Sequence, residues 1–233
     1  MTMKQNTDRI SIQVGLSGYS FKIEADNDVR SSEWLSADRI FATAELQRRY
    51  DVVEISVFTP KFALVPLQFY APENKRELLA EVVAVGNDEF VDDVEIPELA
   101  SVLIYSNNVG ETLSRVISET VLTTEGAKTR PLPAVYQMLR KMGQLTDYNR
   151  ILAAYMDGHL YLVIAQGKTL LLCNSFKAPD FTTAQYFIFM AMKKLQLNPE
   201  MSTISFMTPL DAEQEMSLYR YFRSVNIYNT RYI

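Results

Sequence analysis

Cysteine and histidine are almost missing: Cys173 and His159 each stand alone among 233 residues. A single cysteine excludes an intrachain disulfide and leaves nothing for a thiolate metal cluster. One His and one Cys cannot build a structural zinc centre, and a Cys-His nucleophilic pair would have to be formed by these two. His159 follows a turn and Cys173 ends the apolar run LLLC, so a buried, inert thiol is expected. Long apolar runs are lacking as well. LYLVIA (160–165) and FIFMAM (187–192) fall far short of the roughly 20 residues that span a bilayer. The opening MTMKQNTDRI is polar with no apolar segment behind it, unlike a secretory signal. Cytoplasmic residence without membrane contact is therefore the expectation. Basic residues are outnumbered, 23 against 28, and the net charge of −5 repels polyphosphate and anionic lipid overall. Nucleic-acid contact would need a local basic patch.

What is present is the material of a globular core. The hydrophobic share is 48% and the charged share 22%, which excludes a disordered or fibrous chain. The length lies between one large domain and two small ones. In the first half, Ile10, Ile12, Val14 and Leu16 alternate in ISIQVGL, and Tyr19, Phe21 and Ile23 alternate in YSFKIE. The Ser17-Gly18 break between them reads as a hairpin turn. Ser36 is placed to cap a helix through about Arg49, followed by strands in VVEISVF and KFALVPLQFY, with Pro66 confining the second to an edge or a bend. Pro72 suits a first helical turn, with Leu78, Leu79, Val82 and Val83 as the apolar face. NDEFVDDVEIPE reads as an acid-rich loop and LASVLIY as a strand. Asn108 with Glu111 forms a candidate capping box for a helix bearing Leu113, Val116 and Ile117. TTEGAKTRPLP (123–133) is the linker candidate, and a helix through Val135, Met138, Leu139 and Met142 ends at Gly143.

The second half has a cleaner pattern. ILAAYM, HLYLVIAQ and KTLLLC are three strands joined at Asp157-Gly158 and Gln166-Gly167. A helix follows with Ala184, Phe187, Ile188, Ala191, Met192 and Leu195 on one face. STISFM is a strand, Asp211 with Gln214 opens a helix bearing Leu218 and Phe222, and VNIYNTRYI is a closing strand. The order is βββαβαβ.

That order, behind a first half that also opens with a hairpin, resembles the duplicated ribonuclease H-like architecture of the actin-like ATPase superfamily. With FTPKFALVPLQFY, a strand running through Val-Pro to an aromatic, the chain looks like an uncharacterised bacterial family, a domain of unknown function with an actin-like ATPase fold. The resemblance covers nearly the whole chain. It implies mixed α/β sheets in two halves around a cleft: 1–145, including the linker 123–133, and 146–233.

Actin-like ATPases resemble one another in two hairpins beginning Asp-x-Gly-Ser/Thr, which wrap the phosphates while the Asp organises magnesium and water. A hard divalent cation wants anionic oxygen ligands. With the glycine of that motif on Gly18, the acid position is Leu16. Placing Ser17 there still supplies no carboxylate, although Ser20 and Lys22 resemble the downstream hydroxyl and lysine. The second copy contains Asp157 and Gly158, but adjacent, and Asp-Gly between apolar strands is the commonest hairpin signal. Both loops read as degenerate. No confident cofactor-binding residue follows; the alternative, an ATP-binding or weakly ATP-hydrolysing switch using ATP with Mg, would rest on Ser17, Gly18, Asp157 and Gly158, with Glu24 or Asp26 replacing the lost acid.

Other chemistries find less support. QGKT (166–169) sits between strands rather than before a helix, unlike a phosphate-binding loop. No acid lies in ISIQVGL or ILAAYM for a two-metal nuclease. His159 has no nucleophile signature near it, and Asp88, Glu89, Asp92, Asp93, Glu95 and Glu98 lack calcium-loop spacing. Trp34, ahead of a helix cap, is expected in the core. Arg220, Arg223 and Arg231 interleave with Tyr219, Tyr221, Phe222, Tyr228 and Tyr232. They are the weak candidates for nucleic acid, against an amphipathic helix feeding a strand. No catalytic or metal-binding residue is expected, and an unidentified protein is the expected partner of a non-catalytic scaffold.

Overall fold

The structure is a computed structural model that describes residues 7–25, 28–106 and 111–228. Along the chain, β1 (Arg9–Val14), β2 (Gly18–Ala25), β3 (Asp28–Ser31) and β4 (Leu35–Ser36) precede two 3₁₀ segments, Ala37–Ala42 and Ala44–Gln47. Then come β5 (Val52–Val57), β6 (Phe62–Pro66), α1 (Lys75–Ala80), β7 (Val91–Ile96), β8 (Ser101–Ser106), α2 (Glu111–Thr120), β9 (Leu132–Pro133) and α3 (Ala134–Met142). The rest is β10 (Asn149–Met156), β11 (His159–Gln166), β12 (Thr169–Lys177), α4 (Phe181–Lys194), β13 (Thr203–Phe206), α5 (Ala212–Tyr219) and β14 (Ser224–Ile227). The described residues group into two compact units, 7–58 with 111–134 and 59–106 with 135–228.

The first unit holds a sheet ordered β3-β2-β1-β5-β9, with β4 also beside β2. β1 and β2 are antiparallel, whereas β1, β5 and β9 run parallel. Alternation buries one set from each strand: Ile10, Ile12 and Val14; Tyr19, Phe21 and Ile23; Val53, Ile55 and Val57. Leu113, Ile117 and Val121, together with Ile40, Leu46 and Tyr50, complete that core. The expected helix from Ser36 is replaced by the two 3₁₀ segments, because Thr43 is extended (φ −86°, ψ 106°) and interrupts the run. Thr43 Oγ1 donates to the Arg39 carbonyl at 2.9 Å and lies 2.8 Å from the buried Tyr19 hydroxyl, which holds the break in place. The linker candidate carries structure of its own: Thr123 bridges Tyr50, Ser118 Oγ donates to the Thr129 carbonyl at 2.5 Å, and Leu132 pairs with Ser56. Asn108 of the expected capping box lies outside the described residues.

The second unit contains a five-stranded sheet ordered β12-β11-β10-β13-β14. Its hairpins are antiparallel and β10, β13 and β14 run parallel, so the connectivity of the first sheet recurs. Leu160 to Ala165 are all buried, as in a strand covered on both faces. Ile151, Leu162, Ile204 and Phe206 pack with Ala184, Ile188, Met192 and Leu218. Asp180 caps α4 by accepting from Thr183 N at 2.7 Å. The capping box of α5 forms as expected: Gln214 N donates to Asp211 Oδ1 at 2.8 Å, and Gln214 Oε1 accepts from Asp211 N at 3.1 Å. Asp211→Ala is expected to remove about 1 kcal/mol of stability, measured by urea denaturation.

A three-stranded sheet, β6-β8-β7, also belongs to this unit. Pro66 ends its edge strand, in keeping with the missing N–H. Half of the expected acidic loop is instead β7. Val91 joins the small core around Leu79, while Asp93 pairs with Lys75 at 2.7 Å. The helix after Pro72 is short, and Val82 lies beyond its end, exposed.

Candidate functional site

The turn between β1 and β2 is occupied by the protein itself. Val14 faces Tyr19, and Gly15 N donates to the Gly18 carbonyl at 3.0 Å, so residues 15–18 form the loop. β4 lies against its base, Gly18 opposite Ser36 and Tyr19 opposite Leu35. A Cβ on Gly18 would collide with the Leu35 carbonyl oxygen and come within 3.1 Å of Trp34 Nε1. This close approach accounts for the glycine. Trp34 Nε1 donates to Ser17 Oγ at 3.2 Å. The expectation that Trp34 is core is corrected: it is 37% exposed and lies on the turn, while Leu16 at the tip is 59% exposed. Lys22 and Glu24 form an ion pair, and Glu24 stands near the opposite end of β2 from the turn. Six residues at about 3.3 Å each set it roughly 20 Å from Gly18 along the strand. Asp26 lies outside the described residues.

The second turn follows backbone chemistry. Asp157 and Gly158 both have positive φ, 50° and 69°, as a type I′ hairpin requires, and Asp-Gly suits this better than most pairs. Met156 faces His159 across it. Gly158 accepts from Ala178 N at 2.8 Å, and His159 Nδ1 lies 2.9 Å from the Asp157 carbonyl oxygen. QGKT is a turn between β11 and β12, with no helix after it. Gly167 takes φ 56°, and Arg150 holds its carbonyl while donating to the Met142 carbonyl at 2.9 Å.

The remaining candidates fall into structural settings. Cys173 is half-buried, with its thiol pushed up to about 12 by burial. Arg220 and Arg223 are exposed, and Arg231 lies outside the described residues, as does Tyr232. The aromatics between them both meet Phe189: Tyr221, itself 53% exposed, edge-on at 5.0 Å, and the buried Phe222 stacked at 5.7 Å. Lys141 Nζ lies 4.5 Å from the centre of the Tyr228 ring. Among the described residues no three His, Cys, Asp or Glu side chains gather as a metal-holding group.

Sequence reasoning missed a polar cluster where the chain enters and leaves the second unit. Thr59 Oγ1 donates to the buried Ser106 carbonyl at 2.7 Å, and Ser106 Oγ donates to Glu89 Oε2 at 2.8 Å. Lys61 pairs with Glu89, whose side chain is only 9% exposed. Burial would raise the Glu89 carboxyl, but hydrogen bonds from Lys61, Ser106 and the Gly86 backbone outweigh it and hold the group below its ordinary 4.5. Arg76 donates to the Glu89, Gly86 and Asn87 carbonyls at 2.7, 2.6 and 3.2 Å, which fixes the loop carrying Glu89.

Two mixed sheets with the same strand order, each opening on a hairpin, belong to the actin-like ATPase fold. A Bacteroides thetaiotaomicron protein described as having an actin-like ATPase fold and unknown function superposes with TM-score 0.71, covering 100% of this chain and 96% of its own at 17% identity. A structure described as the PilM-PilN type IV pilus biogenesis complex superposes with TM-score 0.52, covering 96% and 89% at 11% identity. At these identities the likeness is one of fold. The chain belongs to the family described as "Protein of unknown function (DUF3822)", which matches residues 2–225. No curated protein matches it in sequence.

Proposed function

We propose that this protein is a cytoplasmic, non-catalytic member of the actin-like fold, built from two duplicated halves and retained as a scaffold for protein interaction. The observation that carries this reading is the filled turn. Trp34 takes the Ser17 hydroxyl, and Leu35 lies against the open side of Gly18. Nucleotide at this hairpin would have to displace β4, and the turn itself, Gly15-Leu16-Ser17-Gly18, offers no carboxylate for a magnesium ion. The PilM-PilN complex supplies a relative in fold that is described as part of an assembly.

Isothermal titration of the purified chain with Mg-ATP is expected to give no saturable heat. Micromolar binding lost in both Ser17→Ala and Asp157→Asn would replace this reading with an ATP-binding switch.

A further inference from the structure

Two strand edges in the second unit face the same opening. β6 ends the three-stranded sheet and β12 ends the five-stranded one. They meet at one end, where Ser175 Oγ donates to the Pro60 carbonyl at 2.6 Å. At the other end lies a cavity of about 520 Å³, lined by Leu64 of β6, Pro97 to Ser101, and Lys168 to Leu170 at the start of β12. The edges therefore run in opposite directions and part toward Leu64 and Leu170.

The phase of each ladder decides what the edges present. Ser106 N donates to the Lys61 carbonyl at 2.9 Å and Leu67 N to the Ala100 carbonyl at 2.8 Å, bracketing β6. Antiparallel ladders alternate, so Ala63 and Val65 bond inward to β8 and Leu64 turns its N–H and C=O outward. On β12, the two-residue turn Gly167-Lys168 makes Gln166 and Thr169 the closing hydrogen-bonded pair. Leu170 comes next and turns its backbone outward as well, just before the ladder shifts register, Ile164 pairing with Leu172 rather than Leu171. The following outward position on β6 is Pro66, which has no N–H, so the receptive edge stops there.

We infer that this opening takes a short extended peptide from a partner protein, added as a strand between β6 and β12. Outward N–H and C=O groups, here those of Leu64 and Leu170, are complementary to extended backbone. The side chains set its composition. Leu64, Leu99 and Leu170 line the cavity and call for an apolar residue, while Glu98 and Lys168, also in the lining, call for a basic and an acidic residue beside it. The inference rests on the scaffold reading, which the Mg-ATP titration decides independently of any peptide.

The test is a phage-displayed library of random dodecapeptides panned on the full chain, with enriched sequences remade as fluorescein peptides and measured by anisotropy. Enriched peptides are expected to carry an apolar residue with a basic and an acidic residue beside it. Leu64→Pro, which removes an outward N–H and no ladder bond, is expected to weaken binding about tenfold or more. N-methylation of alternate peptide amides should do the same on unaltered protein, which decides the matter even if the Leu64→Pro chain fails to fold. Lys168→Glu should exchange the preferred acidic residue for a basic one. Three results would overturn the inference: no enrichment over the naive library, binding indifferent to N-methylation, or a dimer in sedimentation that Leu64→Pro dissociates, which would make a second copy the occupant.

Discussion

Gly18→Ala is expected to lower the stability of the first unit by about 3 kcal/mol, the upper end of what overpacking costs. Two effects oppose one another. Alanine in a strand gains up to about 1 kcal/mol over glycine through reduced backbone entropy loss. Against it stands the collision of a new Cβ with the Leu35 carbonyl oxygen, a backbone atom fixed by the Tyr19–Leu35 pairing. The collision wins because relieving it requires β4 to leave β2. Ser17→Ala, which removes only the exposed bond to Trp34, should cost below about 1 kcal/mol. Trp34 is the sole tryptophan of the chain, so its emission during urea titration follows this unit alone. A neutral Gly18→Ala would mean that β4 does not lie on the hairpin.

Glu89→Gln should cost about 2 kcal/mol at pH 7, because it uncouples Lys61 and weakens the bond from Ser106 in a site where the carboxylate is mostly buried. Lys61 is 29% exposed, so solvent screens part of the effect and the lower end of the range applies. The folded carboxyl sits below its ordinary 4.5. Its contribution is therefore complete above the unfolded value and is lost as pH falls through the folded one. Urea midpoints of the parent and Glu89→Gln chains should differ at pH 7 and converge as the pH falls below the ordinary carboxyl value and through the lowered folded one. A gap that persisted at low pH would assign the effect to packing rather than charge.

The elements legible in the sequence are those written locally. The β10–β12 meander follows from three apolar runs punctuated by Asp157-Gly158 and Gly167, α4 from its apolar face, and the start of α5 from Asp211 and Gln214 three residues apart. Sequence features alone misjudged β7, whose acids suggest a loop. Val91 and Asp93 share the face toward α1, where Leu79 and Lys75 receive them, and that complement lies on another element. The filled turn was equally out of reach, since Trp34 meets Ser17 across 17 residues. Lys61 finds Glu89 across 28. Neither spacing is a helical or strand period, so no local pattern encodes it. The absence of an acid at Leu16 was readable; that β4 fills the turn was not.

Emission from Trp34, excited at the red edge to avoid adenine absorption, is the most direct measurement, because this indole sits on the hairpin where a phosphate would have to enter. Adding Mg-ATP to millimolar concentration is predicted to leave its intensity and wavelength unchanged. A saturable red shift, abolished by Ser17→Ala, would show the indole leaving the turn for nucleotide and would contradict the account.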